Sequence, residues 1–245
     1  MRVIALIPAR MDASRFPGKM LAQISGKSVI QRTYESTLAT GLFAEVVVVT
    51  DSDEIAAEIS RVGGNVFRST RPFESGTDRI AEAAADRAAD IFVNVQGDEP
   101  FVQREPLEKL LALFGGEDAL QVQVASLVQE LHDPRLIADP NYVKVALDLR
   151  GNSLFFSRSP VPYIRDESVK LPYYEHIGVY AFRKEALMQF TRWEATPLER
   201  TEKIECLRFL EHGVPLRMAI TEYMGVEIDH PEDIVRAEAM LKEKG

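Results

Sequence analysis

The sequence holds one cysteine, Cys206, in 245 residues. A lone thiol closes no internal disulfide and builds no thiolate zinc cage, so a disulfide-stapled secreted scaffold is excluded and a cytoplasmic enzyme is the expectation. The sequence also lacks any apolar run near the roughly 18 residues that a membrane span requires. Its first apolar segment, Arg2–Ile7, is too short even for a signal-peptide core, so no stable membrane insertion is expected. Positive charge is in deficit: 29 Lys and Arg face 38 Asp and Glu, a formal net charge of −9. That argues against a broad nucleic-acid footprint and leaves room for a small basic pocket. Three motifs are missing as well. No Gly-x-Gly-x-x-Gly follows the first apolar pulse, no Gly-x-Ser-x-Gly elbow occurs, and Gly26-Lys27-Ser28 fails as a phosphate loop because Leu21 stands where its first glycine belongs. His132, His176, His212 and His230 show no metal-ligand spacing, and no zinc site is expected.

What is present reads as an ordinary globular protein, 46% hydrophobic and 27% charged. Val3–Ile7, Glu45–Thr50 with its four consecutive valines, and Ile91–Gln96 are apolar pulses suited to strands buried on both faces. Val29–Leu38, Ser52–Val62 and Thr77–Ala89 carry helical periodicity between them. That alternation predicts an α/β fold with a mostly parallel sheet and crossover helices. Further on, Val143–Leu147 and Leu154–Ser157 flank a turn at 149–152 and predict a hairpin. His176–Phe182, Leu216–Ile220 and Val226–Ile228 predict strands; Lys184–Phe190, Leu198–His212 and Pro231–Leu241 predict helices. With no linker rich in Gly, Ser or Pro, the reading is a single domain over 1–245 with an embedded excursion at about 150–175.

Three cations, Arg10, Arg15 and Lys19, fall in the loop after the first strand, the edge of an open α/β sheet where ligands bind. Arg presents a rigid fork to phosphate oxygens and Lys a compact mobile charge, a set suited to a triphosphate and equally compatible with a solvated basic turn. Asp98 stands at the lip of strand 91–96, in Asn94-Val95-Gln96-Gly97-Asp98-Glu99-Pro100, with Glu99 as a competitor. Asp229 ends Val226-Glu227-Ile228 in the same way. Paired carboxylates plus phosphate oxygens are what Mg²⁺ takes, although Asp98 also reads as a turn residue and Asp229 as a helix N-cap. Glu232 and Asp233 suit a first helical turn and are read as structural.

Five blocks in order carry a resemblance. They are Ile7-Pro8-Ala9-Arg10 with Ser14-Arg15-Phe16-Pro17-Gly18-Lys19, Ser75-Gly76-Thr77-Asp78-Arg79, the block at 94–100, Phe155-Phe156-Ser157-Arg158-Ser159, and His176-Ile177-Gly178-Val179-Tyr180. From about residue 3 to 241 the chain resembles the 3-deoxy-manno-octulosonate (Kdo) cytidylyltransferases. The resemblance implies a Rossmann-like, GT-A-like nucleotidyltransferase domain with a mostly parallel mixed sheet and helices on both faces. It implies Mg²⁺-dependent transfer of CMP from CTP to Kdo for lipopolysaccharide biosynthesis, by a homodimer whose excursion contributes to subunit contacts. Carried over by position, Arg10, Ser14, Arg15, Lys19, Ser75, Thr77, Arg79 and Gln96 face the nucleotide and Asp98 and Asp229 hold the metal. Arg158, His176, Tyr180 and Glu205 face the acidic sugar. Arg10, Lys19, Asp98 and Asp229 are the catalytic set.

Two departures stand out. Cys206 replaces a glutamine usual in the family, which leaves 8-amino-Kdo or another acidic sugar open beside plain packing of the thiol. Met20 stands where proline is common and is expected only to alter loop packing. Outside the class, the alternatives are an inactive nucleotide-binding scaffold and a glycosyltransferase using Asp51-Ser52-Asp53, a triplet that also reads as the cap and first turn of helix 52–62. Cys206 lies beside Glu202 and Glu205, whose charge opposes a thiolate, so no nucleophilic cysteine is expected.

Overall fold

The computed structural model describes residues 1–12, 15–70, 76–116, 118–166, 168–222 and 226–244. The chain forms two compact units, Met1–Arg104 with Met224–Gly245, and Glu105–Tyr223.

In the first unit, β1 (Val3–Ala9) leads through a small hairpin, β2 (Gln23–Ile24) and β3 (Lys27–Ser28), into α1 (Val29–Ala39). Then follow β4 (Glu45–Thr50), α2 (Asp53–Arg61), β5 (Asn65–Arg68), α3 (Gly76–Ala84) and β6 (Ile91–Asn94). The strands lie side by side in the order β6-β1-β4-β5, all parallel, in register from Ile4 opposite Glu45 to Ala9 opposite Thr50. Val46–Val49 are at most 1% exposed, the burial expected of a β-branched strand covered on both faces. Ser28 and Ser52 cap α1 and α2 by accepting from the backbone N–H of Gln31 and Ile55. Asp51-Ser52-Asp53 is thus the start of a helix, as its spacing allowed.

The second unit follows α4 (Arg104–Ala112) with β7 (Val124–Leu131), α5 (Pro134–Ala138), β8 (Lys144–Leu147), β9 (Ser153–Ser157) and β10 (Tyr173–Arg183). It ends with α6 (Lys184–Phe190), α7 (Pro197–Glu202), α8 (Leu207–Glu211) and β11 (Leu216–Ile220). Here the pairing is mixed: β11 runs parallel to β7, while β7–β10, β10–β8 and β8–β9 are antiparallel. The chain then returns to the first unit as α9 (Pro231–Lys244), whose Ala237 packs with Ile24, Val29 and Ile228.

Four expectations are corrected. The long helix predicted over Leu198–His212 is two short ones, broken where Lys203 turns left-handed at φ 55°. The carbonyls of Glu202 and Lys203 are taken by the Arg158 guanidinium instead of a following helical turn, and Arg208 of α8 grips Glu199 of α7 through two bonds at 2.8 and 2.5 Å. Val226–Ile228 joins no ladder; it is an extended segment held by the Ile228 N–H on the Asp98 carbonyl at 3.0 Å. The helix predicted to Ala89 ends at Ala84, and β6 ends at Asn94, not Gln96.

Candidate active site

The loop after β1 doubles back on itself. Gly18, left-handed at φ 72°, donates its N–H to the Met11 carbonyl and starts the short 3₁₀ turn that carries Lys19. After β6, Gly97 passes so close to β1 that a Cβ there would lie 2.7 Å from the Pro8 carbonyl oxygen and 3.2 Å from the Met20 sulfur. The Thr33 hydroxyl donates to the Gly97 carbonyl at 2.8 Å and fixes the turn. Met20 is buried and packs where that turn passes, consistent with its expected role in loop packing. Asp98 therefore faces Lys19, and its own carbonyl, accepting from Ile228, brings Asp229 alongside.

Residues 79 and 210 apart in sequence meet at one ammonium: Lys19 Nζ lies 2.5 Å from Asp98 Oδ2 and 2.9 Å from Asp229 Oδ1. Arg15, exposed, reaches the other Asp229 oxygen at 2.9 Å. The Asp229 side chain is thus not a helix cap; Asp233 does that work, its carboxylate accepting from the N–H groups of Asp229 and His230. A third carboxylate belongs here. Oxygens of Asp98, Glu227 and Asp229 all lie within 4.8 Å of one another. Desolvation, then the charges of Asp98 and Asp229, raises Glu227 above the usual carboxylate range. Burial, with Glu227 and Asp98, pushes neighbouring Glu99 up to about 8. Burial opposes the Lys19 charge, but Asp98 and then Asp229 outweigh it and hold its pKa above the ordinary value.

Arg10 lines a cavity of about 460 Å³ together with Met11, Asp12, Asp51, Ser52, Glu54 and Arg79. Arg79 is buried, its guanidinium 2.8 and 3.0 Å from the two Asp51 oxygens, and that pairing holds Asp51 below the usual carboxylate range. Thr77 is buried on α3 and Gln96 half-buried just past β6. Ser14 and Ser75 lie outside the described residues.

The second unit gathers the remaining candidates. His176 shares a 2.9 Å hydrogen bond with Ser126 Oγ and meets the rings of Phe156 and Tyr180 at 5.0 and 5.3 Å. Burial pushes its pKa down to about 4, so the imidazole is neutral at neutral pH. Cys206 is buried, and burial raises both its thiol and the Tyr180 hydroxyl, with Glu205 adding to the rise. The Arg158 guanidinium is spent on backbone carbonyls, Glu202 at 2.7 Å, Pro140 at 2.8 Å and Lys203 at 3.3 Å.

A cytidylyltransferase family profile matches residues 4–222. The chain is 50% identical over 240 residues to a 3-deoxy-manno-octulosonate cytidylyltransferase of Christiangramia forsetii, covering 98% of this chain and 97% of the relative. The chain belongs to the 3-deoxy-manno-octulosonate cytidylyltransferase family. A Flavobacterium johnsoniae member is 47% identical over 99% of this chain and 100% of its own length. A solved structure of CMP:2-keto-3-deoxy-manno-octonic acid synthetase complexed with CTP superposes with a TM-score of 0.93 at 33% identity, covering 100% of both chains. The fold is accordingly the Rossmann-like nucleotidyltransferase fold of this family, a mixed sheet flanked by helices, and the protein is a cytidylyltransferase.

Within the family frame, Glu227 is the residue the sequence reading passed over. Its signal was available: in extended backbone, residues two apart share a face, so Glu227 and Asp229 flank the buried Ile228 on one side. Asp51 was likewise kept as part of a helix start over an Asp-x-Asp motif, although it anchors Arg79 at the cavity.

Proposed function

We propose that the protein transfers CMP from CTP to the anomeric hydroxyl of Kdo, releasing pyrophosphate and supplying CMP-Kdo for lipopolysaccharide biosynthesis. Family membership supports the reaction, and the meeting of Lys19 with Asp98 and Asp229, on the loop that also carries Arg10, is the observation that carries it. The donor set fits Mg²⁺. Among the described residues, three carboxylates with oxygens within 4.8 Å face two cations, Lys19 and Arg15, and hard oxygens are what Mg²⁺ selects. Asp98 and Asp229 would hold it, and when bound the ion would screen phosphate charge and make the sugar hydroxyl more acidic.

The chain's own residues do the rest. Arg10, Arg15 and Lys19 offer donors to the triphosphate, with Thr77, Arg79 and Gln96, and with Ser14 and Ser75, on the nucleotide side. The new bond joins the anomeric oxygen to the α-phosphorus, the bond to the bridging oxygen of pyrophosphate breaks, and the hydroxyl proton is lost. Negative charge grows on pyrophosphate, where Arg10 and Lys19 are worth most. Neutral His176, with Tyr180, Glu205 and Arg158, is the set assigned to the acidic sugar. Cys206 acts there by packing, since its thiol is buried and burial holds it protonated.

The enzyme works as a cytoplasmic homodimer. Among the described residues no helix is long and apolar enough to cross a membrane. Large apolar side chains stand exposed at Leu149, Leu154, Tyr163, Val169 and Leu171, in and around the excursion at 150–175, as a subunit contact requires. Pyrophosphate release from CTP and Mg²⁺ with Kdo, 8-amino-Kdo and N-acetylneuraminate in parallel tests the reading. Kdo should be preferred; preference for the amino sugar would move Cys206 into recognition, and silence with folded protein would overturn the reaction.

A further inference from the structure

Lys19 stands where a cation bridging Asp98 and Asp229 would stand. Its Nζ is 2.5 Å from one carboxylate and 2.9 Å from the other, on a side chain only 10% exposed. A divalent ion on the same oxygens would sit about 2 Å from them, in space the ammonium already fills, and two cations so close repel. The ammonium is movable while its root is not. Gly18 and the 3₁₀ turn fix the backbone of Lys19, and the four-carbon stem swings the head. The same loop carries Arg10, which lines a cavity, and Arg15 on Asp229, so an incoming triphosphate meets the loop's charges together.

We propose that Lys19 is a resident counter-ion which keeps the Asp98–Asp229 site closed to divalent metal until a nucleoside triphosphate draws its ammonium away. The proposal rests on the reading of these carboxylates as the metal site and adds an order to it. Free protein holds its own cation, and metal enters with or after the nucleotide. The exchange adds one positive charge: as Lys19 leaves, Asp98, Glu227 and Asp229 keep Arg15 among the described cations and then accept two positive charges in place of one.

The test is Mn²⁺ affinity, read by electron paramagnetic resonance on nucleotide-free protein, for the wild type, Lys19→Met, Lys19→Gln, and Lys19→Met combined with Asp98→Asn. Methionine keeps the buried stem and removes the charge; glutamine keeps a donor and serves if methionine misfolds by circular dichroism. Both single variants should bind Mn²⁺ at least about tenfold more tightly than the wild type, and Asp98→Asn should abolish the gain, a direction that mere structural damage would not produce. Equal or weaker binding that still depends on Asp98 would overturn the guarding role and leave the metal site standing. If no protein shows Mn²⁺ binding that depends on Asp98, the metal reading fails and the proposal with it.

Discussion

The two polar clusters differ in what their charges touch. In the first unit charge meets charge: Lys19 and Arg15 on Asp98 and Asp229, Arg79 on Asp51. In the second, the Arg208–Glu199 pair aside, the groups around Arg158 and His176 are tied to backbone or uncharged. Arg158 is bound to three carbonyls, buried Lys144 donates to the carbonyls of Asp139 and Tyr142 at 2.8 and 2.5 Å, and His176, Tyr180 and Cys206 are held uncharged by burial. Ion pairs can trade partners with an incoming anion or metal at little cost, whereas side chains bonded to backbone carbonyls cannot move without unmaking local structure. The first cluster is built for exchange and the second for shape.

Breaking the first cluster should give the largest effects on rate. Asp98→Ala or Asp229→Ala should lower kcat/KM by at least about 10²-fold with little change in melting temperature, since each removes charge at the reacting phosphate. Steady-state kinetics at saturating Mg²⁺ checks this, and equal activity of Asp98→Ala at limiting Mg²⁺ would sink the metal role. Gly97→Ala should follow. A methyl group 2.7 Å from the Pro8 carbonyl must displace β1 or the Asp98 turn, costing about 1–3 kcal/mol in denaturant midpoint together with activity.

Arg158→Ala should invert that pattern. It strips three carbonyls that hold the break between α7 and α8, so stability should fall by about 2 kcal/mol and KM for the sugar should rise while KM for CTP holds.

His176 supplies a pH test. Its pKa is depressed to about 4 from 6.5, so the unfolded chain binds the extra proton first. Its contribution is therefore whole above pH 6.5 and is lost as pH falls toward 4, on the order of 2–3 kcal/mol in all. His176→Gln should flatten that part of the acid limb in pH-dependent melts, and an unchanged limb would count against a buried neutral imidazole. Cys206→Ser should have the smallest effect, below about 1.5 kcal/mol in stability and within about threefold in sugar KM. A larger change confined to sugar KM would return position 206 to recognition.

Much of the first unit was legible because its strands are short β-branched pulses between capped helices, and because Arg10, Lys19 and Asp98 follow strand ends. The approach of Asp229 was not legible. It depends on one backbone bond, Ile228 to Asp98, and on Ile228 packing against Ile24, Val29 and Ala237, contacts that no local pattern encodes. In the second unit β7 went unread because Val124–Leu131 alternates too weakly, with its first five residues all buried. The break at Lys203 was hidden because helical periodicity continues across it, and only Arg158, distant in sequence, claims the freed carbonyls.

The span of 210 residues between Lys19 and Asp229 also sets a schedule for synthesis. A nascent chain displays its basic loop long before Asp229 leaves the ribosome, so no shorter translation product can assemble both carboxylates around that lysine. A chain that stops before Asp229 leaves Lys19 and Asp98 as an incomplete pair.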